Sequence, residues 1–291
     1  MSDDRIGLVT GANQGLGLAV ATGLARAWGA RGTVYLTGRD RQRVEEAAAV
    51  LASDGLARDG LRVIPEVCDM RDDEAVRGLA RRIADRHGGV DFVDSNATAA
   101  ITPEVAHAEQ VGDLIDTNNF GTTRMIRAFG PLLRPGGRLV VTASAYGTLA
   151  GLPAHLHSRF DTETMSLDAL DKTMRDYCDA VRSGAAAAQG WPDWINIPSK
   201  IGQVAAVRIY ARERRERATG DGRLIVAACP GLVDTRASRP WFADMSQAQS
   251  PDEAAVDVVK LATGTIEPRM HGELVQHGRI LPWNAHAAAA D

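Results

Sequence analysis

Thr10 to Gly17 reads TGANQGLG, three glycines placed between a short apolar run, IGLVT, and an amphipathic stretch, GLGLAVATGLARAWG. Gly11 permits a tight turn, Gly15 lets backbone approach an anionic ligand, and Gly17 allows a helix to pack closely on the strand. Asn13, Gln14 and Leu16 fill out the loop. A helix starting there points its unpaired N–H groups at the anion, and the pyrophosphate of a dinucleotide suits such a loop. Other chemistry-bearing groups are sparse. The basic residues are nearly all arginine, with lysine only at Lys172, Lys200 and Lys260, so each ammonium merits inspection. His155 and His157 titrate in a useful range, although solvated surface residues are the plainer reading of both. Cys68, Cys178 and Cys229 show no CxxC spacing and no metal-ligand clustering, as expected of free thiols in a reducing cytosol.

These groups need a frame. With 291 residues, 45% hydrophobic and 24% charged, the chain has the balance of a globular protein with a sizeable core. A net charge of −4 without a basic tract argues against nucleic acid as a partner. No run of about 18 apolar residues predicts a membrane span, and the acidic start MSDDRIGLVTGAN lacks the regions of a signal peptide. A cytoplasmic protein is expected. Short apolar runs alternate with helical patterns, which predicts an α/β, doubly wound, Rossmann-type parallel sheet of about seven strands with helices on both faces. The strands are IGLVT, TVYLT, LRVIPEV, VDFVDS, GRLVVTAS, RLIVAAC and GELVQ; a long helix is predicted over about 109–133 and another from Pro198 to about Ala218.

Residues 147–196 interrupt that alternation. Within them Leu167, Leu170, Met174, Tyr177, Cys178 and Val181 recur at steps of three and four, the apolar face of a helix that Ser166 would cap and Gly184 would end. A single domain over 1–291 is expected, with this helical insertion over the substrate site.

The TGxxxGxG spacing resembles that of the short-chain dehydrogenase/reductase family, and most of the chain follows it. The resemblance implies roles by position. Asp69, followed by Met70 in VCDM, would contact the adenine. SNAT stands where the family usually has NNAG, keeping Asn96 and Ala97. Asn118 in TNNFGT matches the active-site asparagine and Ser144 the catalytic serine. Pro230, Gly231, Val233 and Thr235, in CPGLVDT, match the segment that closes over the nicotinamide. The insertion and HGELV are most similar to monomeric carbonyl reductases, which implies a monomer. At the end of the second strand, in LTGRD, an acid would accept the ribose hydroxyls of NAD; Arg39 stands first there instead. Arg41 and Arg43 lie nearby, and Asn13 matches a phosphate-contacting position. Guanidinium pairs well with phosphate, so NADP(H) is the implied cofactor, with Asp40 as a complication and a solvated helix start as the other reading of Arg43.

One group is missing. The family places a tyrosine four residues before the lysine, where it protonates the carbonyl oxygen; in NIPSK that position is Asn196, while Lys200 keeps its place as a ligand of the nicotinamide ribose. An amide has no proton to give near neutrality, though it can donate a hydrogen bond to a developing alkoxide; a polar turn residue is the plainer reading. Pro198 predicts a helix starting near itself and leaving Asn196 ahead of it, so that Asn196→Tyr would bring no gain. Tyr146, His155, His157, water or a phenol on the substrate remain as proton sources. The absence resembles the atypical ketoreductases of actinomycete aromatic-polyketide pathways. It implies NADPH-dependent reduction of a bulky aromatic, angucyclinone- or quinone-like ketone that polarises its own carbonyl. A catalytically inactive NADP(H)-binding sensor is the alternative, as is an isomerase or dehydratase that uses the cofactor only structurally. Retention of Ser144, Asn118 and Lys200 favours the enzyme.

Overall fold

The computed structural model describes residues 4–53, 61–216 and 221–284. Eight strands form one sheet in the order β3-β2-β1-β4-β5-β6-β7-β8. They are β1 (Arg5–Val9), β2 (Gly32–Gly38), β3 (Arg62–Val67), β4 (Val90–Ser95), β5 (Leu133–Thr142), β6 (Leu224–Ala228), β7 (Leu274–Gln276) and β8 (Arg279–Leu281). Neighbours pair in parallel except β7 with β8. The order reverses beside β1, which is flanked by β2 and β4, and a crevice opens there at the carboxyl ends of the strands. The sequence predicts about seven strands; β8 is the addition, too short to register as a strand by alternation. Its hairpin is turned by His277, at φ 49, and Gly278, at φ 73.

Helices α1 (Gly15–Trp28), α2 (Arg41–Ser53) and α8 (Pro251–Thr263) cover one face, burying Val20, Val44 and Val258 against Val9, Val34 and Val140. Helices α3 (Asp73–His87), α4 (His107–Ile115), α5 (Gly121–Phe129), α6 (Leu167–Arg182) and α7 (Asn196–Glu216) share the other core, which holds Leu8, Val93, Ile126, Met174 and Val207. The predicted end of α7, about Ala218, lies outside the described residues.

Two predicted helices are corrected. The stretch at 109–133 is α4 and α5 joined by a π turn over Asp116–Phe120, with a 3₁₀ turn, Gly130–Leu132, after α5. A π turn keeps the chain helical while adding a residue, so the apolar pattern hides it. Helix α7 begins at Asn196, two residues before Pro198. The proline occupies the first turn, where N–H groups have no intrahelical acceptor and a missing one costs nothing. Asn196 therefore lies inside the helix, one turn ahead of Lys200 on the same face.

The insertion forms as its periodicity predicts. Ser166 Oγ accepts from Ala169 N (3.2 Å) to start α6, and Gly184, at φ 75, follows its end. Helix α6 lies on α4 and α7; a Cβ at Gly202 would sit 2.8 Å from Met174 Sδ, so only glycine fits between them. Tyr177 and Phe160 close on Trp191 at ring distances of 4.6 and 6.2 Å within the insertion, and all three belong to the same core as Leu8 and Val93. Trp283, just past β8, accepts from Leu149 N through its carbonyl (2.9 Å), and its ring lies 5.4 Å from the Arg208 guanidinium.

Candidate active site

The loop needs glycine at three positions for its backbone and its packing. Gly11 and Gly15 have φ of 63 and 55, and a Cβ at Gly17 would meet Gly11 O at 2.6 Å. Asn96 and Ala97 fix this loop from β4: both backbone N–H groups donate to Thr10 Oγ1 (3.0 Å each), and Asn96 Nδ2 donates to Thr10 O (2.9 Å). Gln14 precedes α1 and accepts a hydrogen bond from the Arg43 guanidinium. Asn13 packs against Gly38, where a Cβ would lie 3.3 Å from its Oδ1. Leu16 is buried in the first turn of α1. From the far side Thr235 reaches over Gly15, its Cγ2 lying 3.6 Å from where a Cβ would be. Gln249 fastens that loop: its N donates to Leu232 O (2.9 Å), its Nε2 to Pro230 O (3.0 Å), and its carbonyl accepts from Asp234 N (2.8 Å). Val233 bridges to Gln249, and Gly231 needs its φ of 79. A glycine-lined cradle at a helix N-terminus, with a loop folded over it, fits a dinucleotide pyrophosphate.

At the end of β2, Asp40 Oδ1 accepts from Arg43 N (3.1 Å) and so caps α2. The acid that complicated the choice of cofactor thus serves the helix, leaving Arg39 exposed at the end of β2. Asp69 takes hydrogen bonds from Arg71, including Nη2 to Oδ2 at 2.9 Å, and these lower its pKa. Met70, beside it, is buried.

Between Lys200 and the π turn runs a chain of buried polar groups. Ser144 Oγ accepts from Tyr146 N (3.3 Å), and the loop after it lies on α7: a Cβ at Gly147 would be 3.1 Å from Lys200 O, and one at Gly151 2.8 Å from Ile197 Cγ2. Lys200 is buried and donates from Nζ to Gln203 Oε1 (2.8 Å). Gln203 Nε2 donates to Thr122 Oγ1 (3.2 Å), which donates to Asn118 O (2.6 Å). The π turn presents both Asn118, whose Nδ2 donates to Ser199 Oγ (3.2 Å), and Asn119, whose Oδ1 accepts from that hydroxyl (3.0 Å). Asn118 Oδ1 accepts from Thr98 Oγ1 (3.1 Å) and Ala99 N (3.0 Å). Burial pushes the Lys200 ammonium down to about 8. Sequence reasoning missed Gln203, Thr122, Ser199 and Asn119; only the spacing of Lys200 and Gln203, one turn apart, hinted at any of them.

Of the alternative proton sources, His155 Nε2 meets Gln189 O (3.1 Å) and His157 Nε2 meets Leu152 O (2.9 Å), which makes both packing groups of the insertion. Tyr146 is 41% exposed and stands edge-on to Trp194 (5.0 Å, 82°). Trp194 in turn meets Trp241 (5.6 Å) and Phe242 (6.5 Å), and Trp241 Nε1 donates to Ile101 O (3.0 Å). Three segments distant in sequence thus build an aromatic wall, pinned to a fourth at Ile101, with Tyr146 two residues from Ser144 and Trp194 two from Asn196. The indole N–H of Trp194 is buried and has no partner among the described residues.

Asp94, at the end of β4, is fully buried. Its Oδ1 accepts from Thr142 Oγ1 (3.0 Å), Oδ2 has no partner among the described residues, and burial raises the pKa to about 7. The folded protein therefore keeps a proton that the unfolded chain releases near its ordinary value of 3.8, and stability falls as pH rises between the two. Asp94→Asn is expected to remove up to about 4 kcal/mol of that loss. Thermal melts should show the variant gaining on the parent from pH 5 to pH 8; a constant difference would exclude the buried acid as the cause.

A family profile described as short chain dehydrogenase matches residues 5–156. Carbonyl reductase [NADPH] 1 of Rattus norvegicus is 32% identical, covering 97% of this chain and 100% of its own length. The Homo sapiens protein of that name is 31% identical, covering 96% and 98%. Among solved structures, salutaridine reductase from Papaver somniferum superposes with a TM-score of 0.76 at 20% identity, covering 90% of this chain and 96% of that one. NADPH bound carbonyl reductase from chicken fatty liver gives 0.66 at 20% identity, covering 96% and 99%. At those identities the structural likeness is one of fold.

Proposed function

Since the chain belongs to the short-chain dehydrogenase family, we propose that it is an NADPH-dependent ketoreductase of bulky aromatic ketones that works without a tyrosine acid. The observation that carries this reading is the wall of Tyr146, Trp194, Trp241 and Phe242, in which Tyr146 follows Ser144 by two residues and Trp194 precedes Asn196 by two. Aromatic faces and edges of this kind suit a planar, fused-ring substrate. NADPH, when bound, supplies the hydride. Gly11, Gly15 and Gly17 would receive its pyrophosphate, with Asn13 and Gln14 alongside; Arg39 would face the 2′-phosphate, and Asp69 the adenine. Pro230, Gly231, Val233 and Thr235 would cover the nicotinamide and Lys200 its ribose.

Ser144 orients the carbonyl by a hydrogen bond, and Asn196 offers an amide N–H to the oxygen as charge develops there. Neither group releases a proton near neutrality. A phenol next to the reacting carbonyl supplies it, as in angucyclinone- and quinone-like polyketides, and the protein contributes position and exclusion of water. The resemblance to the angucyclinone ketoreductase of simocyclinone biosynthesis supports this substrate class. The three free, buried cysteines suit a cytoplasmic enzyme, and α6, lying over α4 and α7, suits a monomer.

The test follows NADPH absorbance with an aromatic ketone bearing an adjacent phenol and with its methyl ether. The phenol should react about 10²-fold faster or more. With the phenol, Ser144→Ala and Tyr146→Phe should each change kcat little; with the ether, Ser144→Ala should cost a further tenfold or more. NADPH binding with no turnover of either ketone would favour the sensor reading instead.

A further inference from the structure

Lys200 is buried in a site that has lost its natural neighbour. A tyrosine one turn earlier would place a hydroxyl near the ammonium, whereas Asn196 carries a short amide. Yet Nζ has a fixed partner, because Gln203, on the same helix and also buried, accepts its hydrogen bond at 2.8 Å. The amide is itself held from the far side, Nε2 donating to Thr122 Oγ1 (3.2 Å), and that hydroxyl donates to Asn118 O (2.6 Å). This orientation leaves the Gln203 carbonyl oxygen turned toward Nζ, and the donor sequence along the chain fixes which end of the amide faces which neighbour. We propose that Gln203 is a positioning residue for Lys200: anchored to Thr122 on α5, it takes the place of the missing hydroxyl neighbour and holds the ammonium in place for the cofactor ribose.

The surroundings support a specific role for this contact. From α7 the ammonium faces Gln203; from the π turn and α5, the polar groups of the cluster are Asn118, Asn119 and Thr122, none of which titrates. Among the described residues, Cys229, following β6, is the ionisable side chain that would act on it by charge when deprotonated, and burial raises that thiol so that it is neutral near pH 7. A buried cation without a carboxylate depends heavily on its hydrogen bonds, since losing an acceptor leaves the charge unpaired in a medium that solvates it poorly.

The proposal rests on Lys200 serving a bound dinucleotide, and its test reads Lys200 in the ligand-free protein. The chain has three lysines, so ¹³C-labelled lysine gives a spectrum that Lys172→Arg and Lys260→Arg assign by elimination. Gln203→Met keeps the shape of the side chain and deletes the acceptor; Gln203→Glu strengthens it. The Lys200 titration midpoint should fall by about one pH unit in the first and rise by about one or more in the second. NADPH affinity at pH 7.5 should drop roughly tenfold in Gln203→Met and be retained in Gln203→Glu. If Gln203→Met does not fold, the upward shift in Gln203→Glu still decides the matter. A midpoint that fails to move in the folded variants overturns the proposal. Opposite shifts uphold it even if no ketone is reduced, which separates it from the assignment of substrate.

Discussion

Asn196→Tyr is expected to raise the turnover of aromatic ketones that lack an adjacent phenol by about 10²- to 10⁴-fold, the usual worth of a positioned general acid. The sequence alone argues the opposite, because Pro198 suggests a helix that starts after Asn196. In the structure α7 starts at Asn196, and Ile197 N already donates to Trp194 O (3.1 Å). Residues four apart on a helix lie one above the other, so the introduced phenol would project from the face that carries Lys200. The ammonium there would lower the phenol pKa and prepare it to give up its proton. Ser144 stands ready on the facing loop. For ketones with their own phenol the gain should be small, since the proton is already supplied. Steady-state kcat on matched phenol and methyl-ether ketones measures the contrast; equal, negligible changes on both would mean that the wall around Trp194 leaves no path for the ring.

Lys200→Met should abolish productive NADPH binding, with kcat/KM falling by about 10²-fold or more, while the fold holds or gains stability. The two effects have separate origins. The ammonium would bind ribose hydroxyls through charge-assisted hydrogen bonds, which methionine cannot make. Its burial is costly, because the folded pKa of about 8 lies below the ordinary 10.5. The unfolded chain binds the proton more tightly, so Lys200 lowers stability at every pH below about 8, and that penalty lifts as pH climbs toward 10.5. At neutral pH the removable cost is up to about 3 kcal/mol. Part is returned because Gln203 loses a partner, at about 1–3 kcal/mol. A melting temperature equal to or above that of the parent, together with lost affinity by calorimetry, is the expected pair. A large drop in melting temperature would instead make Lys200 a structural residue.

What could be read from the sequence, and what could not, divides by range. The glycine loop, Ser144 after its strand, and the apolar stripe of α6 with its Ser166 cap are local signals, each written within a turn or two of chain. The start of α7 departs from the sequence expectation because the preference of a residue before proline is also local, and here the Trp194–Ile197 turn and the burial of Ile195 and Pro198 override it. Asp40 looked like a rival to Arg39 because its neighbours in sequence do not reveal that its side chain turns to the Arg43 N–H. The π turn left no trace, since one added residue disturbs neither flanking pattern. Gln203 read as one more polar residue, and its meaning comes from Thr122, on an element about eighty positions earlier. The aromatic wall is the extreme case: Tyr146, Trp194, Trp241 and Phe242 share no motif and meet only because the fold brings three loops distant in sequence together.

The carbonyl of Trp283 that holds the Leu149 N–H has a consequence for the order in which the site is made. Leu149 belongs to the loop that follows Ser144, and the Trp283 ring rests over Arg208 on the helix that carries Lys200. Both halves of the candidate site therefore lean on a segment synthesised after them. A nascent chain that has reached β7 already contains every recognisable motif, yet the support under its serine loop is still in the ribosome.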